Sequence, residues 1–325
     1  MRTPANPKRV GAALRPDLPL DPSSRGAKPL PPSSHQGALS RQALLFTLLA
    51  TLLLPAAARA GEIVRGIPFA SVDGTELKLD LHRPDGPPAG LIVWVHGGAW
   101  RSGTRDGVDL RGLVDLGWAI ASVDYRLSPQ AKFPAQIHDI KAAIRYLRAH
   151  ATELGLPAHR FVIAGSSAGG HLAALVGVTN GHPELEGAVG KNRDTSSAVQ
   201  AIVDLYGASN LTTILKQSTP HGISVRAPAL DLFLGGQPDA LPAIAQLASP
   251  VFHVDAQDPP LLLMHGDQDP QMPINQSHEL AGAYERLGRP VVFKVQHGSA
   301  HGGPAFTSAA SLRFIDAFLR EHLAH

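Results

Sequence analysis

Short apolar runs recur along residues 61–325 and alternate with segments that have helical spacing. Eight of these runs have the length and side-chain pattern of buried strands, and they lie near 63–70, 75–83, 91–95, 118–124, 160–164, 199–206, 260–265 and 291–296. Helical spacing is clearest in 137–149, where one face carries Ile137, Ile140, Ile144 and Leu147. The alternation predicts an α/β fold with a mostly parallel central sheet, flanking helices and antiparallel N-terminal edge strands.

Two segments are longer than a simple crossover between strands requires. Residues 207–259 contain many Gly and Pro residues, which argue against a long amphipathic helix there. We expect this segment to lie over the carboxyl edge of the sheet and to form one wall of a substrate pocket. Its apolar residues fit either that wall or the core, namely Leu230, Leu232, Phe233 and Leu234. Residues 180–198 are expected to form a second excursion over the same edge.

The turn between the run at 160–164 and the next helical segment reads Gly165-Ser-Ser-Ala-Gly169. In a G-x-S-x-G turn the central serine is held in a strained conformation between a strand and a helix, and the glycines remove Cβ atoms that would collide. This motif alone is also compatible with an ordinary strand-to-helix turn. Together with the motifs described next, it predicts that Ser167 is a nucleophile exposed above the sheet.

Small residues follow the buried run at 91–95, in the order His96-Gly-Gly-Ala-Trp100. Such residues let backbone N–H groups approach a carbonyl oxygen closely, which is typical of an oxyanion loop. In folds with this kind of serine turn, a second N–H comes from the residue after the nucleophile, here Ala168. Trp100 either closes the acyl side of a substrate pocket or packs beneath the loop in the core.

Three of the sixteen histidines compete for the role of general base to Ser167. His301 is favoured because the Gly-rich loop around it can bend the imidazole back towards the serine. His297 lies at the end of the preceding strand and has less reach. His171 is four residues beyond Ser167 on its helix, where packing or a local hydrogen bond is expected.

Two aspartates follow the run at 260–265 and compete for the role of the acid. Asp267 is expected to brace the turn, and Asp269 to project from the loop towards the histidine. Asp204, near the end of the run at 199–206, is a third candidate for the acid, although a structural role is expected for it. Serine, acid and base then follow one another along the chain in the order expected of α/β-hydrolases, each just beyond a strand.

With these motifs the chain resembles the BD-FAE-like (bimodular feruloyl esterase-like) branch of the α/β-hydrolase superfamily. This branch is related to hormone-sensitive-lipase-like esterases and kynurenine formamidases. The similarity covers nearly the whole chain after residue 60 and rests mainly on HGGAWRSGTRD (96–106), AGSSAGGHLAAL (164–175) and HGDQDPQMPINQS (265–277). The hormone-sensitive-lipase branch has an aspartate before the nucleophile and a D-P-L-x-D-E acid motif. Here Ser166 precedes Ser167 and the acid motif is His-Gly-x-x-Asp, which places the chain outside that branch.

The resemblance implies a role for each matching residue. It implies a catalytic triad formed by Ser167, Asp269 and His301. It implies oxyanion-hole donors at Gly98, Ala99 and Ala168. Met272 stands where relatives more often have valine, which is expected to alter packing only.

The formal net charge of +2 is misleading as a guide to partners. Residues 1–60 hold eight of the 29 Lys and Arg residues and two of the 27 Asp and Glu residues, which leaves 21 basic against 25 acidic side chains in 61–325. The body of the chain is therefore mildly acidic, and no nucleic-acid partner is expected. The chain has no cysteine, so packing and not disulfides must stabilise residues 61–325.

Residues 1–60 have the composition of a leader. Residues 1–40 contain eight of the 28 prolines and no apolar periodicity, which predicts disorder. Arg41 is followed by the apolar run 43–54 and by Ala56-Ala-Ala-Arg-Ala60, the parts of a secretory signal cleaved after Ala60. We therefore expect a periplasmic or secreted protein with no stable membrane span in its mature form. An uncleaved anchor at 43–54 is the alternative.

These patterns favour a serine carboxylesterase that acts on short acyl esters, with acetyl or feruloyl esters of carbohydrate as candidate substrates. No cofactor or metal is expected, because the chain has no H-E-x-x-H motif or Cys–His cluster and the triad itself would generate the nucleophile. An arylformamidase is an alternative, since residues 96–100 also satisfy its motif, but the export signal argues against it. A silent binding protein is a second alternative, against which the intact Ser, Asp and His argue.

Overall fold

The computed structural model describes residues 61–324. The strands of this region are β1 Ile63–Val72, β2 Thr75–His82, β3 Leu91–Val95, β4 Ala119–Val123, β5 Phe161–Ser166, β6 Ala201–Leu205, β7 Leu261–Gly266 and β8 Val291–Gln296. The helices are α1 Ala135–Ala149, α2 Ala168–Gly177, α3 Pro183–Glu186, α4 Ile214–Gln217, α5 Pro220–Leu234, α6 Pro242–Leu247, α7 Asn275–Arg286, α8 Pro304–Thr307 and α9 Ala309–His322. Single 3₁₀ turns occupy Arg111–Leu113 and Pro250–Phe252.

All eight strands belong to one sheet, in the order β1-β2-β4-β3-β5-β6-β7-β8. β2 is antiparallel to both of its neighbours, β1 and β4, whereas every other neighbouring pair is parallel. The predicted α/β fold with a mostly parallel sheet and antiparallel N-terminal strands is therefore confirmed. Because β3 and β5–β8 run in the same direction, the loops that follow them meet at one carboxyl edge.

The sheet is covered on both faces, and β3 shows how the sequence achieves this. Leu91, Val93 and Val95 pack into the apolar cluster that contains the inward faces of α1 and α2. Ile92 and Trp94, on the opposite face of the strand, pack into the cluster that contains α9. A strand buried on both faces is a continuous apolar run and has no alternating pattern.

Residues 207–259 contain a long helix, α5, although the sequence argues only against a long amphipathic one, and the apolar residues of α5 are not confined to one face, since Ile223 and Leu232 are exposed. Helix α5 runs for 15 residues and continues through Pro228. Pro220 occupies its first turn, where the missing N–H is harmless, and Gly235 ends it with a φ of +88°. Leu230 and Phe233 are fully buried while Leu232 is exposed, so this part of the segment contributes to the core, whose packing offsets the hydrogen bond lost at Pro228.

The segment 180–198 does not lie over the carboxyl edge, and that expectation is wrong. It lies along α1, where Glu186 accepts hydrogen bonds from Lys141 at 3.0 Å and from Arg145 at 2.7 Å. Arg148, near the end of α1, donates to the carbonyl oxygens of Ser196 and Ala198. The reason is the direction of α2, which runs from the carboxyl edge of the sheet to its amino edge. Residues 180–198 therefore begin at the amino edge.

The predictions for residues 1–60, including disorder, cleavage near Ala60 and an anchor at 43–54, lie outside the described residues. Between residues 61 and 324, no helix combines the length and apolar character that crossing a membrane requires.

Candidate active site

Ser167 lies at the sharp turn that the sequence predicts. β5 ends at Ser166 and α2 begins at Ala168, and Ser167 between them has a φ of +56°, a conformation that L-residues rarely adopt. A Cβ on Gly169 would lie 2.0 Å from the Val95 carbonyl oxygen, and one on Gly165 would lie 2.2 Å from the Gly169 carbonyl oxygen. The two glycines are therefore required by the close approach of backbone at the turn.

The structure brings the three residues predicted for the triad into one chain of hydrogen bonds. His301 Nε2 lies 2.8 Å from Ser167 Oγ. On the other side of the ring, His301 Nδ1 lies 2.6 Å from Asp269 Oδ2. These distances span 134 and 32 residues of sequence, and they arise because the loops after β5, β7 and β8 meet at the carboxyl edge.

The Asp269 carboxylate is buried and held in place on both oxygens. Oδ1 accepts hydrogen bonds at 2.8 Å from the backbone N–H groups of Gln271 and Met272. Burial alone would raise the pKa of Asp269, but hydrogen bonds from His265 and His301 and the charge of His301 hold that pKa well below its usual value. Asp269 is therefore ionised at neutral pH and oriented towards His301.

Two residues at the site were not singled out from the sequence. His265, at the end of β7, is fully buried, with Nε2 at 3.3 Å from Asp269 Oδ2 and Nδ1 at 2.7 Å from Ser277 Oγ. Tyr206, directly after β6, packs the edge of its ring against His301 at a centroid distance of 4.8 Å. The position of each residue at a strand's carboxyl end is a signal in the sequence that points to both, and His265 is also the first residue of the His-Gly-x-x-Asp motif.

The rival acid and base pair with each other. Asp267 Oδ2 lies 2.8 Å from His297 Nδ1, and Asp267 Oδ1 accepts the Gly298 N–H at 2.7 Å. The His297 side chain is 84% exposed. Asp267 thus ties the turn after β7 to the turn after β8, instead of bracing its own turn alone, and neither residue touches Ser167 among the described contacts.

The predicted oxyanion loop lies directly beside Ser167. A Cβ on Gly97 would be 2.9 Å from the Ser166 carbonyl oxygen and 3.4 Å from Ser167 Cβ. Gly98 has a φ of +111° and Ala99 a φ of +52°, so the loop backbone is held in a left-handed conformation. Within residues 61–324, no backbone hydrogen bond uses the N–H of Gly98, Ala99 or Ala168 as its donor, which leaves these N–H groups available to a ligand.

The loop is supported from behind by hydrogen bonds to its carbonyl groups. Tyr125 Oη donates to the His96 carbonyl at 3.0 Å. Ser128 donates to the Trp100 carbonyl through its backbone N–H at 2.8 Å and through its hydroxyl at 2.9 Å. With its carbonyls turned towards these donors, the loop can present its N–H groups towards the space beside Ser167.

The structure corrects the candidate role of Trp100 in substrate binding. Its side chain is 0% exposed, and its Nε1 donates to His171 Nδ1 at 3.1 Å. The ring stacks on Phe233 at a centroid distance of 4.7 Å. His171 Nε2 lies 2.7 Å from the Ala248 carbonyl, and burial lowers the pKa of His171 to about 4. Trp100 and His171 therefore form a buried layer beneath the loop, the alternative that the sequence left open.

We expect a Trp100→Phe substitution to reduce the free energy of unfolding by about 1–3 kcal/mol, because it leaves His171 Nδ1 buried without its donor. The relative kcat/KM values for acetyl, butyryl and octanoyl esters should not change. Denaturant unfolding and steady-state kinetics measure the two effects. An altered chain-length preference at unchanged stability would instead indicate that Trp100 lines the substrate pocket.

Asp204 is a structural residue beneath the serine turn. Its Oδ1 accepts the Gly207 N–H at 2.8 Å, while its Oδ2 is buried without a hydrogen-bond partner among the described residues. Burial raises the pKa of Asp204 to about 7, and the hydrogen bond from Gly207 acts in the opposite direction. Between about pH 4 and pH 7 the folded chain therefore keeps a proton that the unfolded chain has released.

Because of this retained proton, the free energy of unfolding should fall as the pH rises from about 4 to about 7, by up to about 4 kcal/mol from Asp204 alone. An Asp204→Asn variant should lack this decrease. Denaturant titrations of both proteins at several pH values give the difference curve, in which contributions from other groups cancel. Parallel curves across the whole range would contradict the raised pKa.

Comparison with known proteins agrees with the geometry of the site. The sequence profile of the BD-FAE family matches residues 79–284, more than half of the chain. The chain belongs to the BD-FAE family. Esterase LipC of Mycobacterium tuberculosis is 33% identical over 235 residues, which cover 69% of this chain and 56% of LipC. The chain thus spans little more than half the length of LipC.

Solved structures extend the comparison. The truncated form of a carbohydrate esterase from gut microbiota superimposes with a TM-score of 0.75 at 29% identity, over 83% of this chain and 99% of that one. Esterase 2 of Thermogutta terrifontis, phosphonylated by sarin, gives a TM-score of 0.67 at 27% identity, over 80% and 94% of the two chains. The domain formed by residues 61–324 is that of a BD-FAE α/β-hydrolase of the serine carboxylic ester hydrolase class.

Proposed function

We propose that this protein hydrolyses short-chain acyl esters through a Ser167–His301–Asp269 triad and an acyl-enzyme. One observation carries the proposal. A continuous chain of hydrogen bonds runs from Asp269 Oδ2 through both ring nitrogens of His301 to Ser167 Oγ, at 2.6 and 2.8 Å. This geometry meets the requirement that a nucleophile lies within hydrogen-bonding reach of its base and that a third group orients the base.

In the first half of the reaction, His301 Nε2 accepts the Ser167 proton as Oγ attacks the ester carbonyl carbon. Asp269 accepts the Nδ1–H of His301 and so holds the ring in the tautomer whose unprotonated Nε2 faces Ser167. It also stabilises the imidazolium that forms. The N–H groups of Gly98, Ala99 and Ala168 would receive the developing oxyanion. His301 then donates its proton to the leaving alcohol oxygen, and the acyl group stays on Ser167.

In the second half, a water molecule replaces the alcohol. His301 Nε2 takes a proton from this water as its oxygen attacks the acyl carbon. The same N–H groups would stabilise the second tetrahedral intermediate. Collapse of the intermediate releases the carboxylic acid, and the proton returns from His301 to Ser167 Oγ. The side chains of Ser167, His301 and Asp269 and the neighbouring backbone N–H groups would thus suffice for both halves of the reaction.

Short acyl esters of carbohydrate are the substrates that the comparisons favour. The structure with a TM-score of 0.75 is a carbohydrate esterase, and the Thermogutta esterase also has a butyrate-bound structure, with a TM-score of 0.65 at 28% identity. In this chain, α5 contacts the loop that carries Asp269, through a 2.8 Å hydrogen bond from Thr219 Oγ1 to the Pro270 carbonyl. This contact places the start of α5 beside the acid loop of the triad.

A substrate panel tests the proposal. Purified protein is assayed with acetylated xylan, feruloyl esters, 4-nitrophenyl esters of rising chain length and N-formylkynurenine. We expect kcat/KM to be highest for acyl groups of about two to four carbons and acetate to be released from xylan, with no activity in a matched Ser167→Ala control. Highest efficiency on the octanoyl ester or on N-formylkynurenine would contradict the proposed substrate class.

We also propose that the protein is exported and acts outside the cytosol. The support is the pattern of residues 41–60, in which a basic residue precedes an apolar run and an A-x-A ending. Residues 61–325 would then form the mature catalytic domain. The N-terminal sequence of protein recovered from the periplasm or the medium decides between cleavage after Ala60 and retention of 43–54 as an anchor.

A further inference from the structure

Helix α5 extends from the loop that carries Asp269 to the layer behind the oxyanion loop. At its start, a Cβ on Gly222 would lie 3.1 Å from the Gln271 carbonyl oxygen and 3.2 Å from that of Pro270. Near its end, Phe233 stacks on Trp100 at 4.7 Å with an interplanar angle of 14°. The helix therefore runs from the acid side of the site to the oxyanion side.

Arg226 lies midway along the inward face of this helix. It is four residues after Gly222 and seven before Phe233, so the three residues share one face at helical spacing. Arg226 is only 4% exposed. Since Gly222 meets the acid loop and Phe233 meets Trp100, Arg226 lies on the helix face between the acid loop and the layer behind the oxyanion loop.

The guanidinium of Arg226 has no carboxylate partner among the described residues. Its Nε and Nη2 are buried and meet no hydrogen-bond acceptor there. Two other inward-facing arginines do have such partners, since Arg126 donates to Asp139 at 2.8 Å and Arg145 to Glu186 at 2.7 Å. A buried guanidinium without an acceptor is unfavourable, and in an enzyme a bound ligand can supply the missing acceptor.

The electrostatics of the site agree with this position. Burial lowers the pKa of Arg226 to about 10, and the Asp269 carboxylate acts in the opposite direction, so the two charges lie within electrostatic range. Arg226 stays cationic at neutral pH. The Asp269 carboxylate is already engaged with His301, Gln271 and Met272, so it does not fill the hydrogen-bonding positions of the guanidinium.

We propose that Arg226 is a specificity-determining residue that binds a carboxylate on the ester substrate. A guanidinium presents parallel N–H donors that match the two oxygens of a carboxylate, and the fit is lost with a neutral amide. The preferred substrates would be short-chain esters whose acyl or alcohol part carries a free carboxylate, as in esters of acidic sugars. This inference rests on the proposed function and narrows its substrate class.

Binding to the full-length Ser167→Ala protein, which should hydrolyse the esters too slowly to deplete them during a titration, tests the inference directly. One pair of ligands, 4-acetoxybenzoate and 4-acetoxybenzamide, places the carboxylate on the alcohol part. A second pair, monoethyl succinate and ethyl succinamate, places it on the acyl part. We expect calorimetry to show at least about tenfold tighter binding of the carboxylate in one pair, and that pair identifies which part bears it. Equal binding within both pairs would overturn the inference even if no variant of Arg226 folds.

Substitution then assigns the preference to Arg226. In the same background, Arg226→Gln should remove the preference for the carboxylate, while the exposed Arg313→Gln should keep it. Arg226→Lys retains the positive charge but loses the two parallel N–H donors of the guanidinium. This variant should keep only part of the preference for the carboxylate. An unchanged preference in Arg226→Gln would overturn the inference. A carboxylate preference in a wild-type protein that hydrolyses no ester would contradict the proposed function and leave the Arg226 site supported.

Discussion

The Ser167→Ala variant is expected to lose on the order of a million-fold in kcat and to retain only about a thousand- to ten-thousand-fold acceleration over the uncatalysed reaction. The reason is that Ser167 Oγ, 2.8 Å from His301 Nε2, is the atom that forms the covalent bond. The residual acceleration would come from the N–H groups beside Ser167, which the substitution leaves in place. Steady-state hydrolysis of an acetyl ester and circular dichroism measure activity and fold.

Ser166→Ala is the matched control, because it removes a hydroxyl from the preceding residue, at the end of β5. This variant should keep most of its activity, since no described hydrogen bond joins Ser166 to His301. If Ser167→Ala retained more than about a tenth of the wild-type activity, Ser167 would not be the nucleophile.

Asp269→Asn is expected to lower kcat by about a thousand- to ten-thousand-fold. The carboxylate accepts a hydrogen bond from His301 Nδ1 at 2.6 Å, whereas an amide that turns its NH₂ towards the ring would favour the wrong tautomer. Backbone N–H groups of Gln271 and Met272 hold Oδ1, so an amide oxygen can replace that atom and the loop should survive. Steady-state kinetics and thermal unfolding separate the loss of activity from any loss of stability.

Asp267→Asn provides the control for the acid. Asp267 pairs with His297, whose side chain is 84% exposed, and its Oδ1 accepts the Gly298 N–H. Its loss should therefore cost about tenfold or less in kcat, because it loosens the connection between the turns that follow β7 and β8. A larger decrease in kcat for Asp267→Asn than for Asp269→Asn would indicate that Asp267 is the acid of the triad.

The strands and the serine turn are predictable from the sequence because local chemistry determines both. Burial on both faces makes each central strand a continuous apolar run, as in β3 and β7. The sharp turn at Ser167 tolerates no Cβ at Gly165 or Gly169, so it leaves a recognisable pattern. The choice of Asp269 over Asp267 and of His301 over His297 agrees with the observed contacts, and their catalytic roles stay predictions.

The remaining features depend on contacts between distant segments, which local patterns do not encode. Trp100 is buried because Phe233 and His171 cover it, and both lie more than 70 residues away along the chain. Helix α5 continues through Pro228 because its inward face packs into the core, against its local propensity. The position of 180–198 follows from the direction of α2, which the spacing of apolar residues does not reveal.

The most direct test of the central claim is the identity of the residue that forms the covalent intermediate. Wild-type protein is inactivated with a phosphonylating reagent and digested, and the modified peptide is sequenced by tandem mass spectrometry. The account predicts one modified residue, Ser167, in proportion to the activity lost, with Ser166 unmodified and with no label in the Ser167→Ala variant. Modification of any other residue in proportion to the activity lost, or full inactivation without label on Ser167, would contradict the account.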